Sequence, residues 1–286
     1  MDIATSKNFF KEEGLNIEIK QFTGGKFALQ ALLGGSLDLA TAAEFPITLA
    51  TMQGAKLSML AQIDETKEFS MILRKENSSS NPTTYFTKKR KIGTSIGASP
   101  EFFTSQFFKK YNINPSQYEI VSIKPEDAPI ILSQGSVDGI AIYEPYAHVA
   151  IQHTGKDNVW VLNEPNIYSQ SMVLIATPDW SIKHEKNIEK IFRALQKAEN
   201  FMKKHEEESL KIISWSTKLD EDTLRSVWPI FTFHLGLNNK LIPTMEQEAQ
   251  WAKDTGKVPK ETTTPNFRKL IFEAPLRKVA PSSVEL

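Results

Sequence analysis

Residues 32–46, LLGGSLDLATAAEFP, are answered further along the chain by residues 132–146, LSQGSVDGIAIYEPY. Gly35, Ser36, Leu37, Asp38 and Glu44 fall opposite Gly135, Ser136, Val137, Asp138 and Glu144. Each copy has a helix end, a Gly-Ser turn, an acidic residue, a short apolar run and a Glu where the run stops. That order predicts a helix, a tight turn and a buried strand that delivers a polar group at its far end. Ligands of open α/β sheets lie outside the carboxyl ends of the strands. The duplication therefore predicts two similar lobes, each offering one strand end to a shared cleft.

Working outward, apolar periodicity predicts a helix over residues 3–13, closed by Gly14. Leu15, Ile17 and Ile19 alternate with Asn16, Glu18 and Lys20, the pattern of a strand with one buried face. Helix and strand signals then alternate to about residue 176, which predicts a mostly parallel sheet. Polar residues 75–84, KENSSSNPTT, mark the first crossing between lobes, and residues 163–169 the return. Lobe one is expected to comprise 1–76 plus 174–286, and lobe two 77–173. After Pro178 the chain reads as mostly helical, with Ile188, Ile191, Phe192, Leu195, Ala198 and Met202 forming one stripe. Asp220 is placed as a helix cap, and Thr244 with Gln247 as a capping box.

Composition narrows the chemistry. The 286 residues are 40% hydrophobic and 24% charged, a globular profile with ample material for cores. Thirty-four basic residues balance 34 acidic ones, which argues against a nucleic-acid partner. Without cysteine there is no disulfide, thiolate metal site, Fe–S cluster or cysteine nucleophile. The histidines show no metal-binding spacing, and GxSxG, P-loop and GxGxxG motifs are absent. No catalytic residue, metal or cofactor is expected. The basic run 88–91, KKRK, is expected on a solvated surface, and the tryptophans at 180, 215, 228 and 251 in the core.

Two loops have the makings of ligand contacts. Thr23, Gly24 and Gly25 lie between a strand and a helix, as do Thr94, Gly97, Ala98 and Ser99. Glycine lets backbone come close, and a helix N-terminus offers free N–H groups. An ordinary βα turn uses the same residues for geometry alone. Ser99 is expected as the cap of its helix, with Pro100 as the first helical residue. Glu44 and Glu144, each just before a helix, can bond to the opposite lobe, satisfy the helix dipole, touch a ligand, or, last among these readings, act as a general acid/base pair. Phe45, Tyr143 and Tyr146 flank them, as a pocket wall or as core.

FFKEEGLNIEI, the Thr23-Gly24-Gly25 loop and ALLGGSLDLATAAEFP resemble the opening of the nitrate/sulfonate/taurine-type solute-binding proteins of ABC transporters. KIGTSIGASPEFF and GSVDGIAIYEPYA resemble the matching second-lobe signatures. The resemblance implies a type II periplasmic-binding-protein fold, α/β in class, with two lobes joined by two crossings. It implies that Thr23, Gly24, Gly25, Glu44, Phe45, Thr94, Gly97, Ala98, Ser99, Glu144 and Tyr146 hold a small-molecule solute by hinge closure. The implied partner is an ABC permease in the membrane, with the protein a monomer, periplasmic or anchored outside the cytoplasm. Such proteins carry a signal peptide and a first strand ahead of the helix that starts here at Ile3, so lobe one is expected to lack that strand.

The ligand is left open between two chemistries. A sulfonate-, taurine- or nitrate-like anion suits helix N-termini, whereas Glu44 and Glu144 favour amine or ring N–H donors, such as a pyrimidine. Two other functions compete with transport. One is an enzyme like the thiamine-pyrimidine synthase of the same fold, whose cysteine motif cannot exist here. The other is an effector-binding sensor domain.

Overall fold

A computed structural model describes residues 1–76 and 81–286, so residues 77–80 of the expected first crossing lie outside the described residues. The strands are β1 Leu39–Ala43, β2 Ser58–Thr66, β3 Ser70–Arg74, β4 Arg90–Thr94, β5 Tyr118–Ser122, β6 Gly139–Ala141, β7 Val159–Asn163, β8 Gln170–Ala176 and β9 Phe231–Gly236. The helices begin with α1 Asp2–Ser6, α2 Phe9–Glu12, α3 Gly25–Leu33, α4 Glu44–Met52, α5 Pro82–Tyr85, α6 Ser99–Lys110, α7 Ala128–Ser133 and α8 Tyr146–Thr154. The remainder are α9 Pro178–Lys183, α10 Glu185–Lys204, α11 Glu206–Thr217, α12 Glu221–Val227, α13 Leu241–Asp254 and α14 Ala274–Val279. Two compact units result. The first is Met1–Glu65, Ser171–Ser226 and Phe231–Leu286, and the second is Thr66–Gln170 with Val227–Ile230.

The first unit is built on a sheet of order β1-β8-β2-β9, in which β1 and β8 run antiparallel from Leu39↔Ala176 to Ala43↔Met172. The helical stripe predicted on α10 is its core face: Ile188, Ile191, Phe192, Leu195 and Ala198 are all buried. Arg193 and Lys197, toward the edge of that stripe, donate to Glu13 (2.7 Å) and Glu12 (2.9 Å).

The second unit carries a sheet of order β5-β4-β6-β3-β7. Strands β5, β4 and β6 are parallel neighbours, while β3 is antiparallel to both β6 and β7. Ile72, Ile140, Leu132, Val137 and Ala150 make up much of the core against α7 and α8.

Several sequence expectations shift. The helix expected over 3–13 is two short helices, because Asn8 takes a left-handed conformation (φ 59°) that an Asn tolerates. Leu15, Ile17 and Ile19 are half-buried and Asn16, Glu18 and Lys20 exposed, so the alternation is real, but the segment joins no ladder among the described residues. A strand needs a hydrogen-bonded neighbour as well as a pattern.

The capping box at Thr244 is also displaced. Helix α13 starts at Leu241, since Pro243 falls in the first turn where a missing N–H costs nothing. Strand β9 went unforeseen beside helical signals. Trp215 is 78% exposed rather than core. Arg90, expected on a solvated surface, is buried and grips Glu76 with two 2.6 Å bonds while its guanidinium lies over the Tyr85 ring.

Candidate functional site

In the second unit, strand pairing fixes which loops are neighbours. Thr94 lies opposite Ser122 on one side and Ala141 on the other, all in parallel strands. The loops after β4, β5 and β6 therefore leave one end of the sheet, its carboxyl end, side by side. That brings Thr94, Gly97, Ala98 and Ser99 together with the segment that carries Glu144 and Tyr146.

The loop after β4 is tightly folded. Gly97 has φ +75°, which a side chain would strain. Its N–H donates to Glu101 Oε2 at 2.8 Å, and Ala98 N–H donates to Ser95 O at 3.2 Å. Ala98, not Ser99, is the N-cap of α6, and Ser99 is its first residue. Displaced from the capping position, the Ser99 hydroxyl has no hydrogen-bond partner among the described residues, nor has that of Thr94. Both side chains are buried (1% and 0% exposed), a costly arrangement for a hydroxyl.

After β6, Glu144 is half-buried and accepts a hydrogen bond from His148 N–H at 2.9 Å, at the N-terminus of α8. This is one of the roles open to it in the sequence, a carboxylate on a helix dipole. Burial pushes its carboxyl up to about 7, with the His148 bond opposing. Tyr146 is half-buried and meets Tyr143 edge-on at 5.8 Å. Burial, reinforced by nearby Glu126, raises the hydroxyl pKa of Tyr146.

The first unit gathers its own candidates. A Cβ on Gly25 would stand 2.8 Å from the Cα of Ala42 and 3.2 Å from the carbonyl of Thr41. Only glycine lets the Thr23-Gly24-Gly25 loop close against the end of β1, two residues before Glu44. Glu44 is fully buried and accepts Ser171 N–H at 2.7 Å. From there Gln62 Nε2 donates to Ser171 Oγ (2.7 Å), and Asn238 N–H donates to Gln62 Oε1 (2.6 Å). Phe45 is also fully buried, edge-on to Trp251 at 5.4 Å. One turn on, Thr48 Oγ donates to buried Glu248 (2.8 Å).

Sequence reasoning missed Glu101, Glu126 and Ser171. Glu101 was findable: it is the acidic residue three positions beyond the N-cap Ala98, where a carboxylate reaches back to free N–H groups. Nothing local marks Ser171, whose partner is far away in sequence. Among the described residues, no three His, Asp or Glu side chains are grouped to hold a metal ion, and no helix is long and apolar enough to cross a membrane.

The sequence profile of the NMT1/THI5-like family matches residues 2–209. The chain belongs to this family. It is 22% identical over 218 residues to a Bacillus subtilis (strain 168) relative described as aliphatic sulfonates-binding, covering 76% of this chain and 65% of that protein. It is 22% identical over 221 residues to the taurine-binding periplasmic protein of Escherichia coli (strain K12), covering 67% of this chain and 68% of that one. The chain thus spans about two thirds of the length of these relatives.

Among solved structures, it resembles the periplasmic aliphatic sulphonate binding protein of Escherichia coli. The TM-score is 0.81 at 20% identity, over 98% of this chain and 94% of that one. The MOPS-bound alkanesulfonate-binding protein of Xanthomonas axonopodis pv. citri gives 0.80 at 17% identity, over 95% and 93%. The fold is that of the periplasmic binding proteins, as the resemblance implied.

Proposed function

We propose that this protein captures a small organic solute outside the cytoplasm and presents it to an ABC permease. The observation that carries the proposal is the convergence of the loops after β4 and β6, with two buried hydroxyls at Thr94 and Ser99 that lack partners among the described residues. A ligand that bonds to those hydroxyls removes the cost of leaving them unsatisfied. The first unit supports the same use, since Gly25 admits a close approach of backbone at the end of β1.

In this reading Thr94, Gly97, Ala98, Ser99, Glu144 and Tyr146 hold the solute from the second unit, and Thr23, Gly24 and Gly25 from the first. Glu44 and Phe45, both fully buried, shape the first unit's loop from behind. Hinge closure on the solute, the mechanism expected of the fold, shifts the population between open and closed forms.

A thermal-shift screen with sulfonates, nitrate, taurine, amines and pyrimidines tests the proposal. A ligand at a hundred times its Kd stabilises the native state by about 2.7 kcal/mol, a clear rise in melting temperature. Small-angle scattering should then show a smaller radius of gyration with ligand. If no solute moves the melt, or if turnover of a solute appears instead, the proposal fails.

A further inference from the structure

Resting on the solute-binding reading, we infer that the second unit's half of the site selects a solute that donates hydrogen bonds, neutral or carrying an amine, and turns away free sulfonate and nitrate. Two helix N-termini, those of α6 and α8, stand at this end of the sheet, and helix N-termini ordinarily attract anions. Both already hold a carboxylate of the chain itself. Glu101 Oε2 takes the Gly97 N–H at 2.8 Å, and Glu144 Oε2 takes the His148 N–H at 2.9 Å. A free anion arriving here faces the charge of Glu101, and that of Glu144 where it is ionised, and like charges at short range are unfavourable.

The positive charge that could reverse this is sparse. The three loops, 95–98, 123–127 and 142–145, contain one cation, Lys124, which is exposed and closely followed by Glu126 and Asp127. His148, on α8, has its ring engaged with Gln152 at 2.8 Å.

What remains includes two hydroxyls able to accept. The Thr94 and Ser99 hydroxyls are buried without partners among the described residues, and a hydroxyl accepts as well as donates. A solute N–H or amine therefore finds hydroxyl and carboxylate oxygens in the same place. A donor against Glu144 also stabilises its charged form, opposing the burial that pushes its carboxyl up to about 7.

Titration calorimetry on the full chain tests this with ethanesulfonate and nitrate as anions, and benzylamine and cytosine as donors. The wild type should prefer the donors. Glu101→Gln keeps an oxygen to accept from Gly97 but removes the charge. It should tighten ethanesulfonate on the order of tenfold relative to wild type and weaken the donors, tenfold being about 1.4 kcal/mol. Should Glu101→Gln fail to fold, Glu144→Gln makes the same test at α8, with the same expected direction.

Micromolar binding of ethanesulfonate by the wild type, or no gain in either variant, overturns this inference and leaves the solute-binding proposal standing. A wild type that binds no solute of the wider thermal-shift screen overturns both.

Discussion

Asp38 and Asp138 occupy the same place in the repeated unit, each one step before a strand, β1 or β6. Asp138 is knotted into its sheet. Its carboxylate accepts Lys91 N–H at 2.7 Å and lies 3.6 Å from Arg90, while its carbonyl accepts Arg74 N–H and the Tyr85 hydroxyl. Asp38 is exposed, and no hydrogen bond to its carboxylate is seen among the described residues. The difference lies in the neighbours. Strand β6 is flanked by β4 on one side and β3 on the other, whereas among the described residues β1 is paired with β8 alone. An acidic residue at this position fastens the start of an adjacent parallel strand, and has that work only where such a strand is present. Equal sequence therefore gives unequal energetics.

The two glutamates at the far ends of the units differ in the opposite sense, and they are the strongest way to break the comparison. Glu44 is fully buried and bonded to Ser171 N–H, so truncation orphans a buried donor as well as opening a cavity. Glu44→Ala should cost about 3 kcal/mol, and Glu144→Ala, at a half-buried site, about 1 kcal/mol. Urea denaturation of the two variants measures both. Equal losses would mean that burial does not set the energetics of the repeat.

Much of the fold was legible because it rests on periodicity. The α10 stripe, the Gly-Ser turns and the half-buried alternation at Leu15, Ile17 and Ile19 all carry their cause within a few residues. What was hidden depends on partners distant in sequence. Arg90 looked like one more lysine-rich surface residue until Glu76 and Tyr85 were found around it. The Leu15 segment had a strand's pattern but no paired strand among the described residues. At the candidate site, the loops were readable from glycine and helix-start signals. The carboxylate of Glu101 was findable too, from its place in the first turn of its helix, whereas Ser171 was not, because its bond to Glu44 joins residues far apart in the chain.

The aspartates themselves give the next test. Removing Asp138 leaves the Lys91 N–H without its charged acceptor and loosens Arg90, so Asp138→Ala should cost about 2 kcal/mol. Asp38→Ala should fall within about 0.5 kcal/mol of the wild type, as exposed substitutions do. If a preparation gave Asp38→Ala the larger loss, a partner strand beside β1 would be at work in solution. Native-state hydrogen exchange then locates it, through slow amides on the open edge of β1.

The smallest effect concerns protons, and it separates the two units once more. Glu144 in the second unit and Asp64 in the first are both pushed up to about 7, in each case chiefly by burial. A carboxyl whose pKa is raised on folding binds its proton more tightly in the native state than in the unfolded chain. Stability is then full below the unfolded value, falls as pH climbs from about 4.5 to about 7, and stays level above that. Glu144 is only half-buried and keeps its His148 bond, so solvent screening leaves about 1 kcal/mol of this at Glu144. Glu144→Gln cannot ionise. It should therefore gain on the wild type as pH rises through that window, with a melting temperature closer to wild type near pH 4.5 and higher above pH 7. Asp64→Asn should do the same for the first unit, and the double variant should be nearly additive, because the groups lie in separately packed units. A Glu144→Gln difference that shrinks with rising pH would mean that Glu144 is charged and favourably partnered in the folded protein.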